Sequence, residues 1–245
     1  MDTTGVEYLD KIEVTIDPRA ILHIQGYSAK REPNTAMLNL INRAAEEASP
    51  LVKPRAISKD FPIAELTGES LTLQNGVRFS IGKKISDWWK GSKSLVIAIC
   101  TIGDGLEKRL MELSSKGEHS AALNLDIAGT VALGSLGDQV HQHICNRASS
   151  TGIEMGPFLN PGYREWPLTD QKIIFEIMPA ADISVRLNEQ CMMIPKKSVT
   201  FCAGAGVIEV QEHFNRCRHC GLAKCPYRHI SRAEDGGLQG LHGTM

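Results

Sequence analysis

Ser94-Leu95-Val96-Ile97-Ala98-Ile99-Cys100 reads as an apolar strand, and Thr101-Ile102-Gly103-Asp104-Gly105 turns it into a helix running to about Lys116. Within such a strand Cys100 is an inert core thiol. The Gly-Asp-Gly turn is a plain helix start capped by Asp104, and one turn of this kind is weak evidence for an anion site. Beyond it Leu123, Ile127, Val131, Leu133, Leu136, Val140 and Ile144 recur through a long helix from about His119 to Ala148. Gly129, Gly134 and Gly137 interrupt that helix, and close packing by another helix is the plain reason to tolerate them. His141 and His143 stand two apart, point to different faces and do not chelate one metal together.

On the N-terminal side, Glu13-Val14-Thr15-Ile16 alternates like a short strand. Asp17-Pro18 then supplies an N-cap and first-turn proline for a helix that Gly26 can end. A second helix starts at Asn34, carries Met37, Leu38, Leu40, Ile41, Ala44, Ala45 and Ala48 at helical spacing, and stops at Ser49-Pro50. Between Pro54 and Gly82 the pattern shifts to strands, with Leu71-Thr72-Leu73 and Val77 to Ile81 flanking the hairpin signal Gln74-Asn75-Gly76. Trp88 and Trp89 follow in a helix and serve as packing anchors.

The chain has 245 residues, 42% of them hydrophobic, enough to bury a substantial core. Twenty-seven basic residues stand against 28 acidic ones, a net charge of −1, which argues against nucleic acid and against an anionic membrane as partners. The N-terminus lacks a basic stretch followed by an apolar core, and no run approaches the roughly 20 apolar residues of a membrane span, so a cytoplasmic location is expected. Seven cysteines is an odd number in a chain too large to need disulfide staples. Reduced thiols with a metal role fit better.

Three of those thiols lie in Cys217-Arg-His-Cys220-Gly-Leu-Ala-Lys-Cys225-Pro226, a C-x-x-C-x-x-x-x-C-P arrangement. A tight turn between Cys217 and Cys220 can aim both sulfurs at one soft cation or one cluster, and a terminal Cys-Pro is frequent in iron–sulfur runs. The spacing admits a 4Fe-4S iron–sulfur cluster or, alternatively, structural zinc. Cys202 is the leading fourth ligand, with Cys191, His213, His219 and His229 as alternatives. Arg216, Arg218, Lys224 and Arg228 surround the cysteines and would favour a reduced cluster or dock an acidic redox donor; a solvated face explains them equally well. Ala203-Gly204-Ala205-Gly206 is a poor dinucleotide loop, because Val207 to Val210 continues as strand rather than helix. The C-x-x-x-C-x-x-C run of radical S-adenosylmethionine enzymes is absent. Ser231 to Met245 is rich in glycine and reads as a flexible tail.

Leu159-Asn160-Pro161-Gly162-Tyr163-Arg164-Glu165-Trp166-Pro167, then Thr169 to Met178, then Leu187 to Pro195 with Ser198-Val199-Thr200, resembles the activation domain of cobalamin-dependent methionine synthase. In that family a long helix leads to a Pro-Gly-Tyr turn, a short helix and a strand pair. The match is best over residues 117–207, within a unit of residues 1–230 whose cysteine segment spans 202–228, ahead of the 231–245 tail. The resemblance implies an α+β fold, with a mixed or antiparallel twisted sheet and long helices. It also implies that Gly162 and Tyr163 line a cofactor face, and that the domain holds S-adenosylmethionine over a corrinoid whose Co(II) is reduced and remethylated.

Two positions depart from that pattern. The family carries an arginine five residues before the tyrosine of the turn, able to contact the ligand's carboxylate, where this chain has Phe158. It carries a tyrosine near the ligand where this chain has Ala203, so both changes count against S-adenosylmethionine. The chain also lacks a corrinoid-ligating Asp-x-His-x-x-Gly run, since Asp138-Gln-Val-His141 has the wrong spacing. Cobalamin would therefore be carried by a partner, a corrinoid protein or cobalamin-dependent methyltransferase. The expected role is an accessory protein that reduces or reactivates that cobalt through Cys202, Cys217, Cys220 and Cys225. Its rivals are a zinc-stabilised module that docks without chemistry and an S-adenosylmethionine-dependent reductive methylation domain.

Overall fold

The computed structural model describes residues 4–28 and 30–207. Its organising element is β5 (Ser92–Thr101), the apolar run read from the sequence, whose residues from Leu95 to Thr101 are all buried. Alternation explains how one strand serves two cores. Val96, Ala98 and Cys100 face a layer of helices, while Leu95, Ile97 and Ile99 face a second apolar layer on the other side.

β5 lies between β2 (Arg55–Thr67) and β9 (Ser198–Gly206), antiparallel to both, with Ile97 opposite Lys59 on one side and Cys202 on the other. The remaining strands are β1 (Val6–Leu9), β3 (Ser70–Leu73), β4 (Arg78–Phe79) and β6 (Glu154–Met155). The order is β4-β3-β2-β5-β9-β6, with β1 also on β2. A separate two-stranded ladder pairs β7 (Arg186–Leu187) with β8 (Met193–Ile194). Every ladder is antiparallel, so this is an α+β architecture.

The helical layer contains α1 (Pro18–Ile24), α2 (Thr35–Ala48), α4 (Gly105–Ser115) and α5 (His119–Ser149). Asp17 caps α1 by accepting from Arg19 N, and Asn34 caps α2 by accepting from Met37 N, as their residue types predict. α5 presents Leu125, Ala128, Ala132, Leu136, Val140 and Ile144 to the sheet at steps of three and four. Opposite lie α3 (Lys83–Trp88), α6 (Gln171–Ile177) and the loops around them, carrying Ile85, Trp89, Trp166, Ile174 and Met178.

The hairpin at Asn75-Gly76 forms as expected, with Gly76 at φ +85° and the Asn75 side chain accepting from Val77 N. Three local expectations change. Glu13 to Ile16 pairs with no strand; it lies on α5, where Ser135 Oγ accepts from Thr15 N at 3.0 Å and Gln139 donates to the Glu13 carbonyl. Its alternation still buries Ile12, Val14 and Ile16, against a helix instead of a sheet. Asp104 makes no capping bond and pairs with Lys108 at 2.7 Å. Of the three helix glycines only Gly129 is closely packed, its absent Cβ lying 3.1 Å from Leu106 and 3.3 Å from Lys197; Gly134 and Gly137 face open space. Among the described residues no helix is long and apolar enough to cross a membrane.

Candidate functional site

The free edge of β9 is covered by a strap, residues 154–160. Glu154 and Met155 pair with Gly206 and Ala205, Gly156 N donates to Gly204 O at 2.8 Å, and Leu159 and Cys202 exchange both backbone bonds at 2.8 and 2.6 Å. Trp89 clamps the strap by donating from Nε1 to Pro157 O at 3.0 Å. Its indole leaves no room for side chains beneath it. A Cβ on Gly156 would lie 2.7 Å from Trp89 Cδ1, and one on Gly204 would lie 2.9 Å from Trp89 Cγ.

The strap delivers the chain into the Pro-Gly-Tyr turn. Tyr163 N donates to Asn160 O at 3.0 Å, Gly162 N to Trp166 O at 2.8 Å and Trp166 N to Tyr163 O at 3.1 Å. Gly162 adopts φ +93°, and Arg164 follows at φ +52°, a conformation an L side chain takes only under constraint. The constraint is Trp166, buried edge-on between Phe79 (6.0 Å) and Trp89 (5.7 Å). Its Nε1 donates to Asp170 Oδ2 at 3.0 Å, and the same oxygen accepts from Ser80 N at 3.2 Å. Trp166 and Asp170 are four residues apart, but Pro167 between them is extended, so no helical spacing marked the pair in the sequence.

Of the two residues expected on a cofactor face, the structure exposes Gly162 and turns Tyr163 inward. Tyr163 is 8% exposed, with its ring 6.5 Å from that of Trp88. What the turn offers to the outside is the Gly162 backbone, Glu165, and Leu168, which is 44% exposed and lies beside Gly162.

Cys202 bridges to Leu159, three residues before Gly162 of that turn. Its thiol is fully buried among apolar side chains, and burial pushes its pKa well above the ordinary thiol range. That is the state of a buried neutral thiol. Cys100 is held in the same way on the other face. Cys191 is buried at the β7–β8 turn with φ +61°. Among the described residues no three His, Cys, Asp or Glu side chains converge to hold a metal. Cys217, Cys220 and Cys225, the alternatives His213, His219 and His229, the strand expected at 208–210 and the 231–245 tail lie outside the described residues.

Phe158 projects to the helical face of the sheet, opposite to Tyr163 and Trp166. It stacks on His141 at 4.2 Å and 25°, and His141 meets Phe201 edge-on at 4.2 Å. The neighbouring Ala203 is fully buried opposite Val96 of β5. His143 points elsewhere. Its Nε2 meets Glu7 Oε1 at 2.6 Å, Arg147 bonds Glu7 at 2.7 Å and Asp60 at 2.6 Å, and Ser58 Oγ donates to Glu7 at 3.2 Å. Burial is the largest single influence on Glu7 and pushes its pKa up. The hydrogen bond and charge of His143, the charge of Arg147 and the Ser58 hydroxyl together outweigh it and hold the carboxyl below its ordinary 4.5.

No family model matches the sequence, and no curated protein sequence matches it. Solved structures do match. One is the crystal structure of the MetH reactivation domain bound to AdoHcy, which shares 12% identity and a TM-score of 0.56 over 97% of this chain and 88% of that one. At that identity the likeness establishes a common fold.

Proposed function

We propose that this chain acts on the cobalt of a corrinoid carried by a partner protein, as an accessory that reduces or reactivates it. The observation that supports this reading is the fold, matched along nearly the whole chain to a MetH reactivation domain. The exposed rim of the turn, Gly162 with Leu168 and Glu165, is the surface proposed to face the corrinoid. Tyr163 supports that rim from beneath.

Cys217, Cys220 and Cys225 are proposed to hold an iron–sulfur cluster. A cluster there would supply a low-potential electron, taking the partner's Co(II) to Co(I), and would be re-reduced by a low-potential one-electron donor. Cys202, the leading fourth ligand, is fully buried in the apolar layer that also holds Leu159, so its part in the set is tested on its own. Anaerobic purification with iron, acid-labile sulfide and zinc analysis tests the reading. Iron and sulfide in equal amounts, lost in Cys217→Ser, Cys220→Ser and Cys225→Ser, are expected. Stoichiometric zinc without sulfide would replace this mechanism with a zinc-stabilised docking module. Cys202→Ser is read separately, since cluster retention in that variant removes Cys202 from the set.

A further inference from the structure

We infer that this chain does not take an S-adenosyl amino acid as ligand, and that Phe158 is the residue that decides it. The inference deepens the corrinoid reading by assigning the chain the reductive half of the chemistry alone. The resemblance puts a carboxylate-binding arginine at Phe158 and a tyrosine at Ala203. The two side chains at those positions, Phe158 and Ala203, offer no polar contact of their own.

Three aromatic rings close on one another at the first place: Phe158 on His141 at 4.2 Å, His141 on Phe201 at 4.2 Å, and Phe201 edge-on to Phe158 at 5.8 Å. A ligand carboxylate brought there meets two phenyl rings, whose faces carry partial negative charge, beside the His141 imidazole, and gives up hydration without gaining a guanidinium's paired N–H fork. Ala203 contributes only a methyl group, fully buried beside Val96 of β5. Arg164 does not make up the loss. It belongs to the turn on the opposite face of the sheet, where its side chain is 19% exposed and lies 3.7 Å from Glu165.

A chemical consequence follows for the product. Without a bound methyl donor, the chain leaves Co(I), a nucleophile with an electron pair to share. The reaction that consumes it is then a methyl transfer from a donor bound elsewhere: the cobalt–carbon bond forms, the donor's bond to its methyl breaks, and the donor leaves with that bond's electron pair.

Calorimetric titration of the full chain with AdoHcy and with S-adenosylmethionine tests the inference. The expected dissociation constant is weaker than about 100 µM for both, and a tighter value for the unaltered chain overturns the proposal. Phe158→Arg is expected to strengthen AdoHcy binding by at least about ten-fold, while Phe158→Leu, which removes the ring without adding a donor, gains nothing. Equal gains in the two variants would overturn the role of the missing guanidinium. Circular dichroism identifies a variant that fails to fold, and the titration of the unaltered chain then decides alone. Reduction of a partner's Co(II) by the pre-reduced chain is measured separately. Its failure sinks the corrinoid reading, whereas AdoHcy binding beside successful reduction sinks only this inference.

Discussion

Asp170 shows how much of the turn rests on single atoms. One buried carboxylate oxygen accepts from both Trp166 Nε1 and Ser80 N, so Asp170→Ala leaves two donors without a partner. Chemical denaturation is expected to show a loss of about 2–4 kcal/mol, with Asp170→Asn milder because it keeps an acceptor. Gly204→Ala is expected to cost about 1–3 kcal/mol by overpacking against Ser92 and Trp89. Neither residue stood out in the sequence. Gly204 was read within a rejected nucleotide-loop pattern, and the pressure on it comes from Ser92 and Trp89, more than a hundred positions away. Gly162 was legible because a Pro-Gly pair marks a turn locally, and the burial of Tyr163 was not, because it depends on Trp88 and the layer around it.

At the scale of elements, the sequence announced what periodicity and caps can announce. The apolar run of β5, both capped helices and the full length of α5 follow from local pattern. The extended segment at residues 13–16 did not become a strand because its alternation specifies only which side chains turn inward, and α5 supplies that burial. The Glu7 cluster is an element-scale device, tying β1 and β2 to α5 through His143 and Arg147, an i,i+4 pair. Its pH dependence has a definite sign. Glu7 has a folded pKa below its ordinary 4.5, so the stability it contributes is present above that value and is lost as pH falls through the folded pKa. Thermal melts between pH 3 and 6 are expected to show a shallower acid decline for Glu7→Gln than for the unaltered chain.

For the whole molecule, the described residues of the two cores on either side of the sheet are drawn from the span between Val6 and Ala205. Replacing Cys217, Cys220 and Cys225 together by serine is therefore expected to abolish metal content. The far-ultraviolet dichroism should be unchanged and the melting midpoint should stay within about 2–4 °C of the unaltered chain, which at this size corresponds to roughly 1 kcal/mol. Collapse of the fold in that variant would mean the cysteine segment is structural, as in a zinc-stabilised module. The fold class was legible through the order of segments around Pro161-Gly162-Tyr163, although the fold match carries only 12% identity. The rim proposed to face a corrinoid was less so, because it is assembled from residues whose neighbours are set by the sheet.

β5 pairs along one side with β2, close behind it in the chain, and along the other with β9, where Ile97 meets Cys202. During synthesis, therefore, the most apolar segment of the protein emerges from the ribosome with one side unsatisfied. About a hundred further residues must be translated before its second partner exists, several seconds at ordinary elongation rates. For that interval the nascent chain exposes a sticky ribbon open to neighbouring polypeptides, and chaperone supply or slowed translation should govern how much of it is recovered undamaged.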